Sequence, residues 1–121
     1  MATPTQRSRD WLKKRGTVSQ IVERWTSFAK IRQDLFGFCD IVALEAKIVA
    51  IQVTSGTNVA ARVGKILDEP RARSWLAAGG LIEVHGWRKT GKAGKRKLWS
   101  LRRVAVELDG MGAMVSREIE L

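Results

Sequence analysis

The stretch Phe38 to Gly56, FCDIVALEAKIVAIQVTSG, decides the fold. Two short runs rich in β-branched residues, Phe38 to Leu44 and Lys47 to Thr54, stand only a few residues apart, which is the pattern of a β-hairpin. With the turn at Glu45, Ala46 and Lys47, Leu44 faces Ile48, Val42 faces Ala50 and Asp40 faces Gln52. Side chains alternate along a strand, so Asp40, Val42 and Leu44 share one side with Ala50, Gln52 and Thr54. A carboxylate and an amide then lie ~5 Å apart, Cβ to Cβ, at the far end of an apolar hairpin. Burying an aspartate is costly unless a cation or several donors compensate it. A hard divalent cation takes oxygen ligands, and Asp40, the Gln52 amide oxygen and the Val53 carbonyl could supply part of such a shell. The same residues also fit a structural reading, in which Asp40 caps the start of the strand and Gln52 simply hydrogen-bonds it.

Outward from the hairpin, the pattern is that of one small domain. Gln6 to Arg15 reads as a helix stopped by Gly16, whereas Thr17 to Trp25 fits either a strand or a helix by periodicity. After the hairpin, Asn58 can cap a helix from Val59 to Leu67, and Pro70 suits the first turn of another that ends at Gly79 and Gly80. Leu81 to Trp87 and Leu98 to Leu108 read as strands joined by the Gly- and Lys-rich loop Lys89 to Lys97. The order predicts an α/β fold, a small mixed five-stranded sheet flanked by helices, over residues 1–108. Residues 109–121 are expected to be a C-terminal tail, either loose or forming an acidic strand against a second subunit.

The 121 residues carry a formal charge of +10, unevenly placed. Residues 34–85 hold five basic and six acidic side chains, whereas Gly86 to Arg103, GWRKTGKAGKRKLWSLRR, hold eight basic and none acidic. Such clustering points to phosphates, with Arg62, Arg88, Lys89, Lys92, Lys95, Arg96 and Lys97 as candidate nucleic-acid contacts. Trp87 and Trp99 bracket the run and suit either the core or stacking on bases. One cysteine, Cys39, and one histidine, His85, exclude an internal disulfide and a Cys/His zinc site; both read as core residues. No apolar run is long enough to span a bilayer or to act as a signal peptide, so a cytoplasmic protein without a membrane partner is expected.

The hairpin also resembles the catalytic hairpin of the PD-(D/E)XK nuclease superfamily, in particular the small archaeal-type Holliday junction resolvases. In that family an Asp opens one strand, and an acid or Gln, any residue and a Lys follow on the next. The likeness extends from the N-terminal helix ending in Lys-Arg-Gly to the late VHGWRK and WSLRRVAVEL strands, roughly 100 residues at low similarity. It implies a restriction-endonuclease-like α-β-β-β-α-β-β arrangement and metal-dependent hydrolysis of DNA, branched DNA above all, with Mg²⁺ or Mn²⁺ as cofactor and a homodimer as the assembly. On this resemblance Asp40 and Gln52 are metal ligands, and Asp34 is a candidate second carboxylate. Thr54 stands where the catalytic lysine belongs, and a hydroxyl carries no charge to stabilise a phosphorane. Lys65 or Arg62, from the helix after the hairpin, would have to replace it. The family's helix glutamate has no match among Gln6, Ser8 and Asp10. The alternative is a catalytically inactive nucleic-acid-binding protein that uses the basic surface.

Overall fold

The hairpin forms in the expected register. In the computed structural model, which describes residues 2–91 and 98–120, Ile41–Leu44 pairs antiparallel with Ile48–Ser55, with Leu44 opposite Ile48 and Val42 opposite Ala50. Numbered along the chain, the elements are α1 (Pro4–Lys14), β1 (Val18–Ile21), β2 (Arg24–Thr26), β3 (Ile31–Gln33), β4 (Ile41–Leu44), β5 (Ile48–Ser55), α2 (Val59–Leu67), α3 (Pro70–Ala77), β6 (Leu81–Thr90), β7 (Leu98–Leu108) and β8 (Met114–Ile119). A 3₁₀ turn at Gly56–Asn58 leads into α2.

The main sheet runs β1-β4-β5-β6-β7-β8, and β2 and β3 form a separate two-stranded ribbon. Every neighbouring pair in the main sheet is antiparallel except β5 and β6, which run parallel across the connection made by α2 and α3. Helices cover both faces of the central strands, and burial follows from that. Val49, Ile51 and Val53 pack with Leu12 of α1 on one face. Ala50, Ile82 and Val84 pack with Val59, Ile66 and Ala72 of α2 and α3 on the other. A strand buried on both sides has no polar face, which is why VAIQVT reads as a nearly continuous apolar run with only Gln52 and Thr54 interrupting it.

Local chemistry fixes the helix ends. Thr3 Oγ1 accepts from the Gln6 N–H at 3.1 Å to start α1, and Gly16, at φ +76°, ends it. Glu69 accepts from the Arg71 N–H at the start of α3, with Pro70 in its first turn. Asn58 precedes α2 as expected, but its side chain donates to Ser55 Oγ and does not cap the helix.

The α/β class stands, with two changes. The sheet has six strands where five were expected, because part of the anticipated tail is β8. Asp109 accepts from the N–H groups of Met111 and Ala113, turning the chain back so that β8 pairs with β7 of the same chain. Glu118, an acid of the expected tail, meets Arg102 across this pair, and Arg117 meets Glu107 of β7. The second change is the β2–β3 ribbon, inserted between β1 and β4. Among the described residues no helix is long and apolar enough to cross a membrane.

Candidate metal centre

Three strand connections converge where β4 begins. Val22 and Glu23, just past β1, donate their backbone N–H groups to the Asp40 carbonyl at 2.8 and 3.3 Å, which lays Glu23 beside Asp40. Asp34 arrives from β3. A tight reversal through Phe36 and Gly37, at φ +55° and +79°, pairs Leu35 with Cys39 and returns Asp34 to the same place. Carboxylate oxygens of Glu23, Asp34 and Asp40 thus lie within 4.8 Å of one another. These three acids could hold a metal ion.

Asp40 and Gln52 meet as the register requires. Asp40 Oδ2 accepts from Gln52 Nε2 and from the Val53 N–H, both at 2.8 Å, and each residue is only 2 % exposed. The remaining amide oxygen, Gln52 Oε1, is buried with no hydrogen-bond partner. With Nε2 facing Asp40, this oxygen would join the oxygen shell of a hard cation held by the acids only with the amide turned over. Burial, then the neighbouring Asp34 carboxyl and the charge of Glu23, push the Asp40 pKa up to about 8, against the Val53 N–H, which favours the charged form.

Beside this cluster opens a cleft of ≈ 410 Å³ lined by Asp34, Gln33 and Gly37 with the cations Arg32, Lys65 and Arg71. Lys65, proposed from sequence to replace the missing lysine, therefore shares a cleft with Asp34 from its exposed place on α2. The charges acting on Asp40 itself are those of acids. Gly37 suits this reversal because its φ of +79° strains any residue with a Cβ, and it lies beside Arg71, whose guanidinium pairs with Glu69. Thr54 is buried on the Gln52 side of β5 and supplies no charge.

Sequence reading brought Asp34, Asp40, Gln52 and Lys65 to this region and missed Glu23, Arg32 and Arg71. Glu23 is the lone acid between Asp10 and Asp34, and that isolation was its only signal. Of the proposed nucleic-acid contacts among the described residues, Arg88 and Lys89 take opposite faces of β6. Arg62 is half-buried on α2. Arg88 lies over Gly56, whereas the next residue, Lys89, lies 5.7 Å from the Trp99 ring, as alternation along β6 demands. Lys92, Lys95, Arg96 and Lys97 lie outside the described residues. Trp87 is core, whereas Trp99 is partly exposed and carries Arg7 at 3.9 Å from its ring centroid.

A second polar constellation occupies the α1 face. Ser8 Oγ lies 2.9 Å from His85 Nδ1, and His85 Nε2 lies 3.2 Å from Glu83 Oε1. Arg103 donates twice to Glu83, at 3.0 and 3.1 Å, and Trp87 Nε1 donates to Ser8 Oγ at 2.7 Å. A serine, a histidine and an acid in contact resemble a nucleophilic triad. Here Ser8 and His85 are wholly buried and every polar atom named has a partner, so no substrate can reach them. Burial lowers the His85 pKa against the pull of Glu83, so the contact is a hydrogen bond from a neutral ring rather than an ion pair. Burial likewise pushes the Cys39 thiol up to about 12, which leaves it an inert core group. No family model, curated protein or solved structure matches the chain.

Proposed function

We propose that this protein is a metal-dependent endonuclease of the PD-(D/E)XK type, with Glu23, Asp34 and Asp40 holding Mg²⁺ or Mn²⁺ and Gln52 supplying a further oxygen. The observation that carries this reading is the convergence of three carboxylates beside a cleft lined by cations, with the buried Gln52 amide hydrogen-bonded to Asp40. A hard divalent ion would acidify a bound water and offset the charge of a scissile phosphate. Lys65 would hold a phosphodiester next to the acids, joined by Arg32 and Arg71 on their release from Glu23 and Glu69, which they meet at 3.2 and 2.7 Å. Lys65 takes the electrostatic part of the missing lysine from another element, which suits a site where Thr54 is uncharged. Asp40 and Gln52 meet across the hairpin, and the strands β1, β4, β5, β6 and β7 lie side by side in chain order, which is compatible with the element order that the resemblance implies.

Branched DNA offers two equivalent strands, so a symmetric dimer is the natural assembly. The second reading, a DNA-binding protein without cleavage, is favoured by one feature, the threonine at position 54.

A single assay separates the two. The chain is incubated with a four-way junction, a continuous duplex and single strands in Mg²⁺ or Mn²⁺, beside Asp40→Ala. Cleavage that Asp40→Ala reduces by at least roughly 100-fold is expected of the enzyme. Binding without cleavage would leave the binder, and cleavage indifferent to Asp40 would dismiss this site.

A further inference from the structure

The ribbon of β2 and β3 buries little. Phe28 at its tip is 99 % exposed, Trp25 is 59 % exposed and Ile31 is 50 % exposed. Three residue pairs close its stem, with Trp25 opposite Arg32 and Thr26 opposite Ile31, and Thr26 Oγ1 donates to Gln33 Oε1 at 3.2 Å. A two-stranded ribbon of this length is marginal alone, and an aromatic ring wholly in water adds nothing to its folding. Residues 24–33, RWTSFAKIRQ, contain Arg24, Lys30 and Arg32 and no acid. Exposed rings among cations complement a polyanion that carries flat apolar faces, which is the chemistry of nucleic acid and not of an apolar protein partner.

Position adds the second argument. Glu23 immediately precedes β2 and Asp34 immediately follows β3, so the ribbon grows directly from two of the three acids. Phe28 lies five positions beyond Glu23, and at about 3.3 Å per residue the tip reaches roughly 15 Å from the acid cluster.

We infer that the β2–β3 ribbon is a DNA probe: Phe28 and Trp25 stack on bases exposed at a break in the helix, while Arg24 and Lys30 hold the flanking phosphates. The inference rests on the endonuclease reading for its ligand and assigns to the ribbon the choice of unstacked over continuous duplex. An intact base stack offers no face to Phe28 without unstacking a step, whereas a bulge, nick or branch offers one at no such cost. The ~15 Å reach corresponds to about five base steps at 3.4 Å each, so cleavage falls within roughly five nucleotides of the discontinuity.

The test uses the full chain carrying Asp40→Asn, which holds the DNA without cutting it, with and without Phe28→Ala. Anisotropy is measured on a duplex with a three-nucleotide bulge and on the same duplex without it, and 2-aminopurine in the bulge reports stacking. Phe28→Ala should lower affinity for the bulged duplex about tenfold, change the continuous duplex less than about twofold, and abolish the 2-aminopurine quenching. Unchanged selectivity and quenching would overturn the inference, and if the Asp40 chain still cuts, the endonuclease reading survives it. Quenching that depends on Phe28 in a protein that cuts nothing would uphold the probe and defeat the enzyme. If Phe28→Ala instead converts a dimer to a monomer by sedimentation, and affinity follows that change, the tip is a contact between copies and the inference falls.

Discussion

Two buried polar clusters occupy opposite faces of one sheet, and they are built on opposite principles. Under α1, Glu83, His85, Arg103, Ser8 and Trp87 form a closed set: the single carboxylate meets a bidentate guanidinium, and every polar atom described above has a partner. At the start of β4, three carboxylates crowd together, Asp40 is met by the other two acids and by the N–H groups of Gln52 and Val53, and Gln52 Oε1 has no partner. A closed set holds α1 to the sheet and needs nothing more. In the open set Glu23 meets Arg32 at 3.2 Å, but the charge on Asp40 is left for a proton or a bound cation to relieve, and that asymmetry marks the cluster as a candidate site.

The comparison predicts opposite mutational signs. Replacing Arg103 by Met leaves the Glu83 carboxylate buried and unpaired and should cost about 3–5 kcal/mol in a urea melt. Asp40→Asn keeps the hydrogen bonds from Gln52 and Val53 and removes a charge that its surroundings disfavour. It should raise stability at pH 8, by ~5 °C in melting temperature or roughly 1 kcal/mol. Two destabilising substitutions would erase the distinction.

The pH dependences diverge in the same way. Burial opposes the charge on Glu83, but the hydrogen bonds from His85 and Arg103 prevail and hold its pKa down to about 2. Its stabilisation is complete above its ordinary value of 4.5 and is lost as pH falls towards 2. His85, held below its ordinary 6.5 by burial, likewise resists protonation, so stability falls as pH drops below that value. Asp40 works the other way: its pKa is raised from 3.8 to about 8, so metal-free protein loses stability as pH rises between those values. His85 opposes this trend below its ordinary 6.5, so thermal melts in chelator should fall from pH 6.5 to 8, Asp40→Asn should flatten the fall, and Mn²⁺ should raise melting temperature more at pH 8 than at pH 6.5. The smallest effect belongs to the cleft. Lys65→Ala should leave stability unchanged and reduce the slope of log affinity for DNA against log salt by about 1.

The closed hairpin was readable because β-branched alternation and a short turn fix register locally, and register alone places Asp40 against Gln52. The rest of the acid cluster was not. Glu23 reaches Asp40 through backbone hydrogen bonds that extend β1, and Asp34 arrives through a left-handed reversal at Phe36, a residue with no local preference for that conformation. The ribbon escaped notice because RWTSFAKIRQ shows no buried face, and alternation is legible only where one side is dry. His85 was readable as a core histidine, but its partner Ser8 lies 77 residues away and is brought to it only by the docking of α1. β8 hid for a simpler reason: its exposed residues pair by charge with β7 and leave little apolar pattern.

The account stands on the open cluster being a divalent-cation site. Titrating Mn²⁺ into the protein at pH 8 and following the free-ion electron paramagnetic resonance signal tests this without any nucleic acid. Saturable uptake of Mn²⁺ by the native chain, abolished by Asp40→Asn and retained by Lys65→Ala, is the predicted result. Absence of saturable uptake, or uptake that Asp40→Asn leaves intact, would contradict it.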